Sequence, residues 1–426
     1  MNLYSKSPLN IVVTLIVATV FCFPIAAAAQ GNIKLGRLEV VPSAKYKIEY
    51  DDNIFSNIEG ADKTDDILHT FTIAVGLKYM KEADAPGPVM NFGAEVVPVV
   101  YSDNDENNYT KQKYSLEVGY LLPSSLYFGV TETYKDNEDP YGSERDTIAD
   151  DEGIRTTGWD NEVAVDIKYG NKFEDRLFGG LAYKNQVSRF DRFEDAYKEE
   201  DVNSLELSSN WLLTPKTAFK FVLGWEGTEF PEQDSGDNDR GYTSSNSYND
   251  EKYYGLIGVS FNPSGKLEGD ILFGYGSLEY DNDIHISGLE YEDVDTWVAR
   301  TGLTWKATER TKLRVKLERG VKSTDDPARN YYDDTNFGVG LDQGIIERLT
   351  LKLDLSYNYL DYNQLGPTTP EKTEDTITAG IGLDYKIKDW LSASLNFEGK
   401  RNNKEEGTTE EDTENNKISF EISATY

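Results

Sequence analysis

Apolar and polar residues alternate with a period of two along the chain beyond its first thirty residues. In the segment 311–322, for example, Leu313, Val315 and Leu317 alternate with charged residues, and the segment 376–387 repeats the pattern. Successive side chains of a β-strand point to opposite sides, so this alternation is typical of strands with one apolar and one polar face. No segment shows a competing helical period. The pattern therefore predicts an all-β fold.

The alternating runs predict eighteen strands, or sixteen if one hairpin is misread. The predicted strands begin near Ala44, Ile67, Val89, Lys113, Leu126, Trp159, Leu177, Val202, Ala218, Tyr253, Leu267, Val294, Lys312, Thr335, Leu349, Thr376, Leu391 and Lys417. Short turns alternate with long polar loops, the longest being 136–158 and 230–250. An even strand number, short periplasmic turns and long extracellular loops are typical of bacterial outer-membrane barrels.

Closure of the sheet follows from hydrogen bonding, because hydrocarbon cannot satisfy the backbone groups at an open sheet edge. The predicted fold is therefore a closed antiparallel up-and-down transmembrane β-barrel. A barrel of about sixteen to eighteen strands is wide enough for an aqueous lumen unless loops plug it. The apolar face of each strand must then meet lipid, and the polar face must line the lumen.

The first 29 residues predict a cleaved secretory signal peptide. Ile11–Phe23 is an apolar run, shorter than the roughly 20 residues that a spanning helix needs, and Ala26–Ala29 supplies small residues before the cleavage site. The single cysteine, Cys22, lies in this segment, so no disulfide or thiolate site is expected in the mature chain. Residues 30–426 are then one barrel domain in the outer membrane of a Gram-negative bacterium.

Acidic residues outnumber basic ones, with 76 Asp and Glu against 43 Lys and Arg. This balance argues against nucleic acid as a partner, because phosphates require clustered basic residues. The nine longer connectors together carry a net charge of −34, so the acidity belongs to one rim of the barrel. Divalent-cation bridges to lipid phosphates and solvation of the loops both explain it. No loop has the full spacing of a calcium site, and no metal or cofactor is predicted.

Aromatic residues near predicted strand ends are candidates for the girdles that flank the apolar band of a membrane barrel. They are Trp159, Tyr169, Trp211, Trp297, Trp305 and Tyr426. Trp297 and Trp305 share one face, and their spacing corresponds to about 20 Å of height at about 3.3 Å per residue and about 40° of tilt. Packing inside a sandwich is the alternative for these side chains. The terminal aromatic Tyr426 also suits recognition by the outer-membrane insertion machinery.

Charged residues on the polar faces are the candidate pore lining. They are Lys45, Lys47, Lys113, Arg300, Lys312, Arg314, Lys316, Glu318, Lys352, Asp354, Asp384 and Lys386. The basic residues on 312–322 form the densest ladder. Two roles are open for this ladder, namely weak repeated binding of a solute and cross-strand pairing with Glu318, Asp334 or other acids.

The amino-terminal segment resembles the opening of a known family. Tyr50-Asp51-Asp52-Asn53 is followed by Asp65-Asp66-Ile67 and a strand that ends in Val75-Gly76-Leu77. This run is similar to the putative beta-barrel porin 2 family of outer-membrane proteins, which is often associated with exopolysaccharide production. The resemblance implies a porin-like barrel, with Asp51, Asp52 and Asn53 binding backbone groups at the start of the first loop.

The leading functional hypothesis is a passive aqueous channel for hydrophilic solutes, with export of a secreted polysaccharide as its specific version. The alternative is a non-conducting barrel whose acidic loops bind lipid, matrix or envelope components, with the lumen closed by 136–158 or 230–250. Enzymatic activity is not expected, because His69 and His285 are the two imidazoles available as bases. Monomer and trimer are both compatible with the sequence.

Overall fold

A computed structural model describes residues 33–57, 63–79, 85–138, 157–170, 173–191, 193–235, 243–245, 247–262, 264–285, 287–324, 326, 328–366 and 369–425. Within these residues, nineteen strands form one antiparallel sheet. Three predictions fall outside the described residues: the signal peptide, most of the loop 136–158, and the girdle residue Tyr426.

The strands follow the chain in order. They are β1 (Ile33–Leu35), β2 (Leu38–Asp51), β3 (Asp66–Tyr79), β4 (Gly87–Tyr101), β5 (Tyr109–Leu121), β6 (Leu126–Glu138), β7 (Thr157–Tyr169), β8 (Leu177–Phe190), β9 (Glu200–Thr214), β10 (Thr217–Glu229), β11 (Asp250–Phe261), β12 (Leu267–Tyr280), β13 (Val294–Lys306), β14 (Thr311–Ser323), β15 (Tyr331–Ile346), β16 (Leu349–Tyr362), β17 (Lys372–Lys388), β18 (Leu391–Glu406) and β19 (Thr409–Thr425).

Each strand from β2 to β18 pairs with the next one along the chain, and β19 pairs with β2 to close the barrel. The three-residue β1 pairs with the first residues of β2. The predicted closed antiparallel barrel of eighteen strands is therefore confirmed. Three short helices accompany it in the described residues: the 3₁₀ turns Asp105–Asn107 and Phe193–Lys198 and the α-helical turn Pro231–Ser235. None of the helices in the described part of the chain has the length and apolar character needed to span a bilayer.

Of the nine longer connectors predicted from the sequence, the one between the strands that begin near Leu391 and Lys417 is wrong. The segment 401–416 is not a loop, because β18 continues to Glu406 and β19 begins at Thr409. A two-residue turn joins them, and Gly407 adopts the positive φ of 61° that such a tight hairpin turn favours. Both faces of this hairpin carry polar residues, so it lacks the alternation that marks the strands elsewhere.

Large apolar side chains are exposed on the outside of the barrel. Ile257, Phe273 and Leu355 keep 54, 50 and 51% of their surface accessible, at alternate positions of their strands. The intervening polar side chains bond across the inside, as in the Lys220 to Asp270 ion pair at 2.7 Å between β10 and β12. The apolar residues of the alternating pattern thus face the lipid, and the polar residues face the interior, except on β10 to β12.

The junction of β2 and β19, where the barrel closes, is called the seam. Beyond the end of the strand pairing at the seam, side chains bond the two strands. Asp51, which is 4% exposed, accepts hydrogen bonds from Asn415 Nδ2 at 2.7 Å and from Lys417 Nζ at 3.0 Å. Asn53 Nδ2 donates to the carbonyl of Glu414 at 2.9 Å. The neighbouring Asp52 accepts from the amide N–H and the side chain of Asn416, at 2.6 and 2.9 Å.

The motif Asp51 to Asn53 has the predicted role of binding backbone groups at the start of the first loop. Asp51 accepts from the backbone N–H of Asn53 at 3.0 Å, and Asn53 Oδ1 accepts from the backbone N–H of Asn57 at 2.9 Å, so both start the first loop. The same side chains also reach β19. The motif therefore fastens the first barrel strand to the last.

Candidate functional site

The inner face of β13 to β18 forms a cavity of about 920 Å³. Six of the predicted pore-lining residues line it: Arg300, Arg314, Lys316, Glu318, Lys352 and Asp354. Asp270 of β12 and Asn396 and Glu398 of β18 also line it. The wall between the charged side chains is formed by glycines on β13, β15 and β17.

The charged side chains of this wall are paired with one another. Arg314 bonds both Asp342, through Nη1, and Asp354, through Nη2 at 2.9 Å. Lys316 Nζ lies 2.9 Å from the carboxylate of Glu318. The basic ladder therefore has cross-strand pairing, which was one of its two predicted roles, as in Arg314 and in Lys322, which pairs with Asp334. Lys316 pairs with Glu318 of its own strand instead.

The remaining predicted wall residues lie on the same face of their strands. Lys352 pairs with Asp384, Lys45 Nζ lies 3.8 Å from Glu421, and Lys47 Nζ lies 2.8 Å from Glu49. The other three have charged or polar residues opposite them in the sheet: Lys113 stands opposite Glu95 and Lys135, Lys312 opposite Lys306 and Asp342, and Lys386 opposite Ser392.

Glycines allow the paired side chains to lie flat against the wall. Gly340 of β15 lies between Arg314 of β14 and Asp354 of β16. A Cβ at Gly340 would stand 2.5 Å from Asp354 Oδ1 and 2.6 Å from Arg314 Nη2, closer than any real Cβ contact. The absence of a side chain at Gly340 thus keeps this ion pair on the wall and out of the lumen.

On β9 to β13 the inside of the barrel is braced by side chains that reach across several strands. Arg300 Nη1 of β13 donates to Glu206 Oε2 of β9 at 2.8 Å, and Tyr254 of β11 donates to the same oxygen at 2.9 Å. Neighbouring strands lie about 4.8 Å apart, so these backbones are separated by about 19 Å along the wall. We call Glu206, Tyr254 and Arg300 the brace. Its contacts require that this side of the barrel is tightly curved.

Apolar side chains, not polar ones, face inward beside the brace. Val222, Leu256 and Leu272 are 0, 0 and 1% exposed and pack together with Tyr254 and Val298. The expectation that the polar face of every strand lines the lumen is therefore wrong for β10 to β12. The physical reason is the brace, because the curved wall excludes water from these positions and burial favours apolar side chains there.

The sequence does carry a signal for this buried patch. Phe221-Val222-Leu223 and Ile271-Leu272-Phe273 are runs of three consecutive apolar residues within otherwise alternating strands. Because successive side chains point to opposite faces, such a run places apolar residues on both the outer and the inner face of the strand. We infer that two-sided apolar runs on neighbouring strands mark a packed interior in a barrel of this size.

Five successive long loops pack together at one end of the barrel: 191–199, 230–249, 281–293, 324–330 and 363–371. We call their described parts the loop cluster. Its residues are joined by hydrogen bonds between loops, such as Gln233 Nε2 to the carbonyl of Tyr197 at 2.6 Å and Asn282 Nδ2 to the carbonyl of Ser247 at 3.0 Å. An apolar group of Tyr197, Phe230 and Tyr248 is buried within it.

Arg329 is the most buried charged residue of the loop cluster, with 1% of its surface exposed. It donates to Asp326 at 2.7 Å, to Glu406 at 2.9 Å and to the carbonyl of Pro370 at 3.0 Å. Burial alone would raise the pKa of Asp326. The N–H of Ala328 and the charges of Lys372 and Arg329 outweigh burial and lower it, so the carboxylate stays ionised.

His285 is also buried in the loop cluster, with 2% of its surface exposed. Burial lowers the pKa of His285 to about 4, against the opposing influence of Asp326. Its Nδ1 accepts the backbone N–H of Ser287 at 3.1 Å and lies 2.8 Å from the Ser287 hydroxyl. The ring therefore closes a local turn. His69, the other imidazole, is on the outer face of β3 with its Nδ1 2.8 Å from the hydroxyl of Tyr46.

The predicted girdle aromatics lie at both ends of the strands. Tyr169, Trp211 and Trp305 are near the short turns, with 54, 51 and 49% exposure. Trp297 and Trp159 are near the long-loop end. Trp297 is 48% exposed and lies under the Arg319 guanidinium at 4.2 Å, while Trp159 is half-buried and stacks on Tyr134.

The carboxyl-terminal part of the chain matches a known family. Residues 239–426 match the model of the family described as putative beta-barrel porin 2. The resemblance inferred from the sequence is thereby confirmed, on residues that follow the amino-terminal motif by more than 150 positions. The barrel is porin-like and belongs to the outer membrane.

Several solved barrels are similar to the chain at low identity. OccK2 (OpdF) of Pseudomonas aeruginosa, solved in complex with glucuronate, is 9% identical with a TM-score of 0.49, over 93% of this chain and 100% of that one. The siderophore receptor PirA of the same organism is 8% identical with a TM-score of 0.45, over 91 and 80%. The FrpB iron transporter of Neisseria meningitidis is 7% identical with a TM-score of 0.44, over 90 and 82%. No curated protein matches the chain.

Proposed function

We propose that this porin-like barrel is a passive, non-enzymatic aqueous channel for hydrophilic solutes. The observation that carries the proposal is the cavity on the inner face of β13 to β18, whose lining includes eight charged side chains of both signs. Eighteen strands are enough to enclose water when side chains do not fill the interior. The packed patch on β10 to β12 leaves the adjoining wall of β13 to β18 as the route for solutes.

The paired charges favour a channel with weak selectivity. Arg314, Lys316 and Lys352 each lie beside at least one carboxylate, so none presents an uncompensated positive charge to the lumen. Conduction requires sites that bind a solute weakly enough to release it. A lumen lined by neutralised pairs meets this requirement for polar solutes.

Export of a secreted polysaccharide is the narrower form of the proposal. It rests on the family resemblance and on the long acidic loops at one rim. In this form the charged wall offers repeated weak contacts to a sugar chain as it moves through the lumen. The channel would accept the polymer from the short-turn end.

A non-conducting barrel is the second candidate, favoured by the loop cluster and by the buried patch. Val222, Leu256 and Leu272 exclude water from part of the interior, and five loops pack at one end. In this case the acidic loops would bind lipid, matrix or envelope components, and the solvated rim would be the functional surface.

Export and insertion complete the proposal. Residues 1–29 would be removed as a signal peptide, and the barrel domain 30–426 would enter the outer membrane through the insertion machinery, which would read the strand ending in Tyr426. Once inserted, outward apolar residues and the aromatic girdles Trp159, Tyr169, Trp211, Trp297, Trp305 and Tyr426 would contact the lipids.

Single-channel recording of the refolded barrel in a planar bilayer tests the proposal. A channel predicts stable conductance steps that are absent from lipid alone and from the heat-denatured protein. Permeability to small neutral sugars, measured by liposome swelling, separates a general porin, which passes them readily, from an exporter gated by its loops. A correctly folded barrel without conductance overturns the channel and supports the non-conducting alternative.

A further inference from the structure

We propose that the cavity on β13 to β18 is a binding subsite for uncharged, polyhydroxylated molecules, and that it disfavours acidic ones. The inference rests on the proposed channel, because the ligand reaches the subsite through the lumen. It goes beyond that proposal by naming the class of ligand and the residues that select it. The charge, the shape and the hydrogen-bonding capacity of the cavity each favour such a ligand.

The charges that line the cavity cancel. Four basic residues, Arg300, Arg314, Lys316 and Lys352, and four acidic ones, Asp270, Glu318, Asp354 and Glu398, line it. An ionised ligand gains no net attraction from such a lining, and it must still lose water to enter. An uncharged ligand does not pay the ionic part of this cost.

The floor of the cavity is glycine backbone. Gly302, Gly338, Gly340, Gly380 and Gly382 contribute to the lining. At Gly302 no atom lies within 4 Å of the place of a Cβ, and at Gly380 the nearest atoms are 3.8 and 3.9 Å away. These positions are therefore open, and a ring can approach the backbone closely. The cavity volume of about 920 Å³ is within the range of about 300–1,000 Å³ that small-molecule sites occupy.

The paired side chains retain free hydrogen-bonding capacity toward the lumen. The side chain of Asp354 is 57% exposed, and those of Lys316 and Glu318 are 61 and 54% exposed. A carboxylate accepts hydrogen bonds and an ammonium group donates them, whereas a hydroxyl group does both. Neighbouring donors and acceptors thus fit a molecule with many hydroxyl groups, such as a linear neutral glucan.

The arrangement of charges on the wall distinguishes this subsite from an anion-binding site. Arg314 is held between Asp342 and Asp354 across Gly340. An acidic sugar would have to displace one of these carboxylates to reach the guanidinium. The geometry therefore favours a neutral sugar over an acidic one of equal length.

The test uses the full barrel in planar bilayers with two oligosaccharides of matched length, maltohexaose and hexagalacturonate. We expect maltohexaose to interrupt the current at a concentration at least tenfold lower than hexagalacturonate. The cavity-filling variant Gly380→Leu should weaken the maltohexaose effect at least tenfold while the channel stays open. Gly320→Leu is the matched control, because Gly320 is on the same barrel wall, outside the cavity, and has no atom within 4 Å of its Cβ position.

A second variant tests the selection against acids. Asp342→Asn together with Asp354→Asn leaves Arg314 without a carboxylate, and we expect the preference to shift toward hexagalacturonate by at least tenfold. The control Glu162→Gln removes one partner of the Glu162 to Lys184 pair on β7 and β8, and should leave the preference unchanged. A preference of the wild-type barrel for the acidic oligomer would contradict the inference.

The failure of the inference can be told from the failure of the channel. An open channel that neither oligomer interrupts overturns the subsite and leaves the channel standing. If the barrel does not conduct, the channel is wrong, and calorimetric binding of the two oligomers to the barrel in detergent decides the subsite. Binding of maltohexaose that Gly380→Leu abolishes would then support it, and no binding would end it.

Discussion

Asn415 donates a hydrogen bond from its side-chain amide to the carboxylate of Asp51 at 2.7 Å, and this bond ties the last barrel strand to the first. Lys417 binds the same carboxylate from two positions further along β19. The pairing of β19 with β2 comprises nine residue pairs and stops at Asp51, whereas β18 and β19 share sixteen. The side chains at the seam thus continue the connection where the backbone ladder ends.

Replacement of the seam carboxylate should weaken the closed barrel. In Asp51→Ala, Lys417 and Asn415 lose a partner that is 4% exposed, and removal of a partner from such a buried charged contact costs about 2–4 kcal/mol. We expect the compact form to unfold at a lower temperature, measured as the heat-dependent shift in electrophoretic mobility. The control Asp103→Ala removes an exposed acidic side chain of the next long loop and should leave the transition in place. An unchanged transition in Asp51→Ala would show that the ladder alone holds the seam.

Substitution of Gly224 should open the braced side of the lumen. A Cβ at this position would lie 2.0 Å from Cζ of Tyr254, so Gly224→Ala must displace the ring and with it the hydrogen bond to Glu206. We expect a larger single-channel conductance and passage of larger polyethylene glycols. Gly320→Ala, where no atom lies within 4 Å of the new Cβ, is the matched control. Equal conductance in both variants would mean that the brace does not limit the lumen.

Neighbouring positions on β16 should respond oppositely to a charge. Leu355 is 51% exposed on the outer face, and Ser356 lines the inner cavity. A Lys in the middle of the lipid-facing band costs about 2–4 kcal/mol, so Leu355→Lys should reduce the yield of folded barrel in lipid vesicles. Ser356→Lys should fold normally and shift ion selectivity toward anions. Similar folding yields of the two variants would contradict the assignment of inner and outer faces.

Acidification should loosen the loop cluster through His285. Its pKa is about 4 in the packed loops because of burial, and the ordinary value is 6.5. Between pH 6.5 and 4 the opened loop therefore binds a proton that the packed loop does not, so stability falls as the pH falls, by about 2–3 kcal/mol in total. The protection factors of the Tyr291 and Ser287 amides, which are corrected for the pH dependence of intrinsic exchange, should fall across this range.

Two histidine variants identify the group responsible for the pH effect. In His285→Gln the protection factors of these amides should depend little on pH between 6.5 and 4, since the ionisable ring is gone. His69→Gln, on the outer face of β3, should keep the dependence of the wild type. If the pH dependence persists in His285→Gln, the acidic groups of the loop cluster account for it instead.

The strand pattern was predictable because most of the wall separates lipid from water. Predicted starts at Leu126, Leu177, Leu267, Val294 and Leu349 coincide with the observed ones. The hairpin 401–416 was missed because water meets both of its faces, so no apolar period marks it. The Asp51 to Asn53 motif was identified from the sequence. Its bonds to β19 were not, because they depend on closure of the barrel, which alternation does not reveal.

Outside β10 to β12, alternation predicted which charged residues face inward, but it did not predict their pairing. Alternation assigns Arg314 and Arg300 to the inside, whereas their partners depend on strand register and on the curvature of the barrel. Arg314 reaches Asp354 across one strand, and Arg300 reaches Glu206 across three. Gly340 gives room for the first contact, and Gly224 gives room for the Tyr254 ring, which bonds the same Glu206. The sequence alone does not show which side chain lies over which glycine.

β18 and β19 extend to a two-residue turn, so the barrel wall is high at these two strands. A strand of 17 residues such as β19 has a height of about 43 Å at about 3.3 Å per residue and about 40° of tilt, against an apolar band of about 25 Å. The tip at Gly407 and Thr408 therefore stands well clear of the lipid on the long-loop side. A short epitope inserted there would be accessible to antibodies on intact cells, which gives a handle on the native protein that leaves the conducting path untouched.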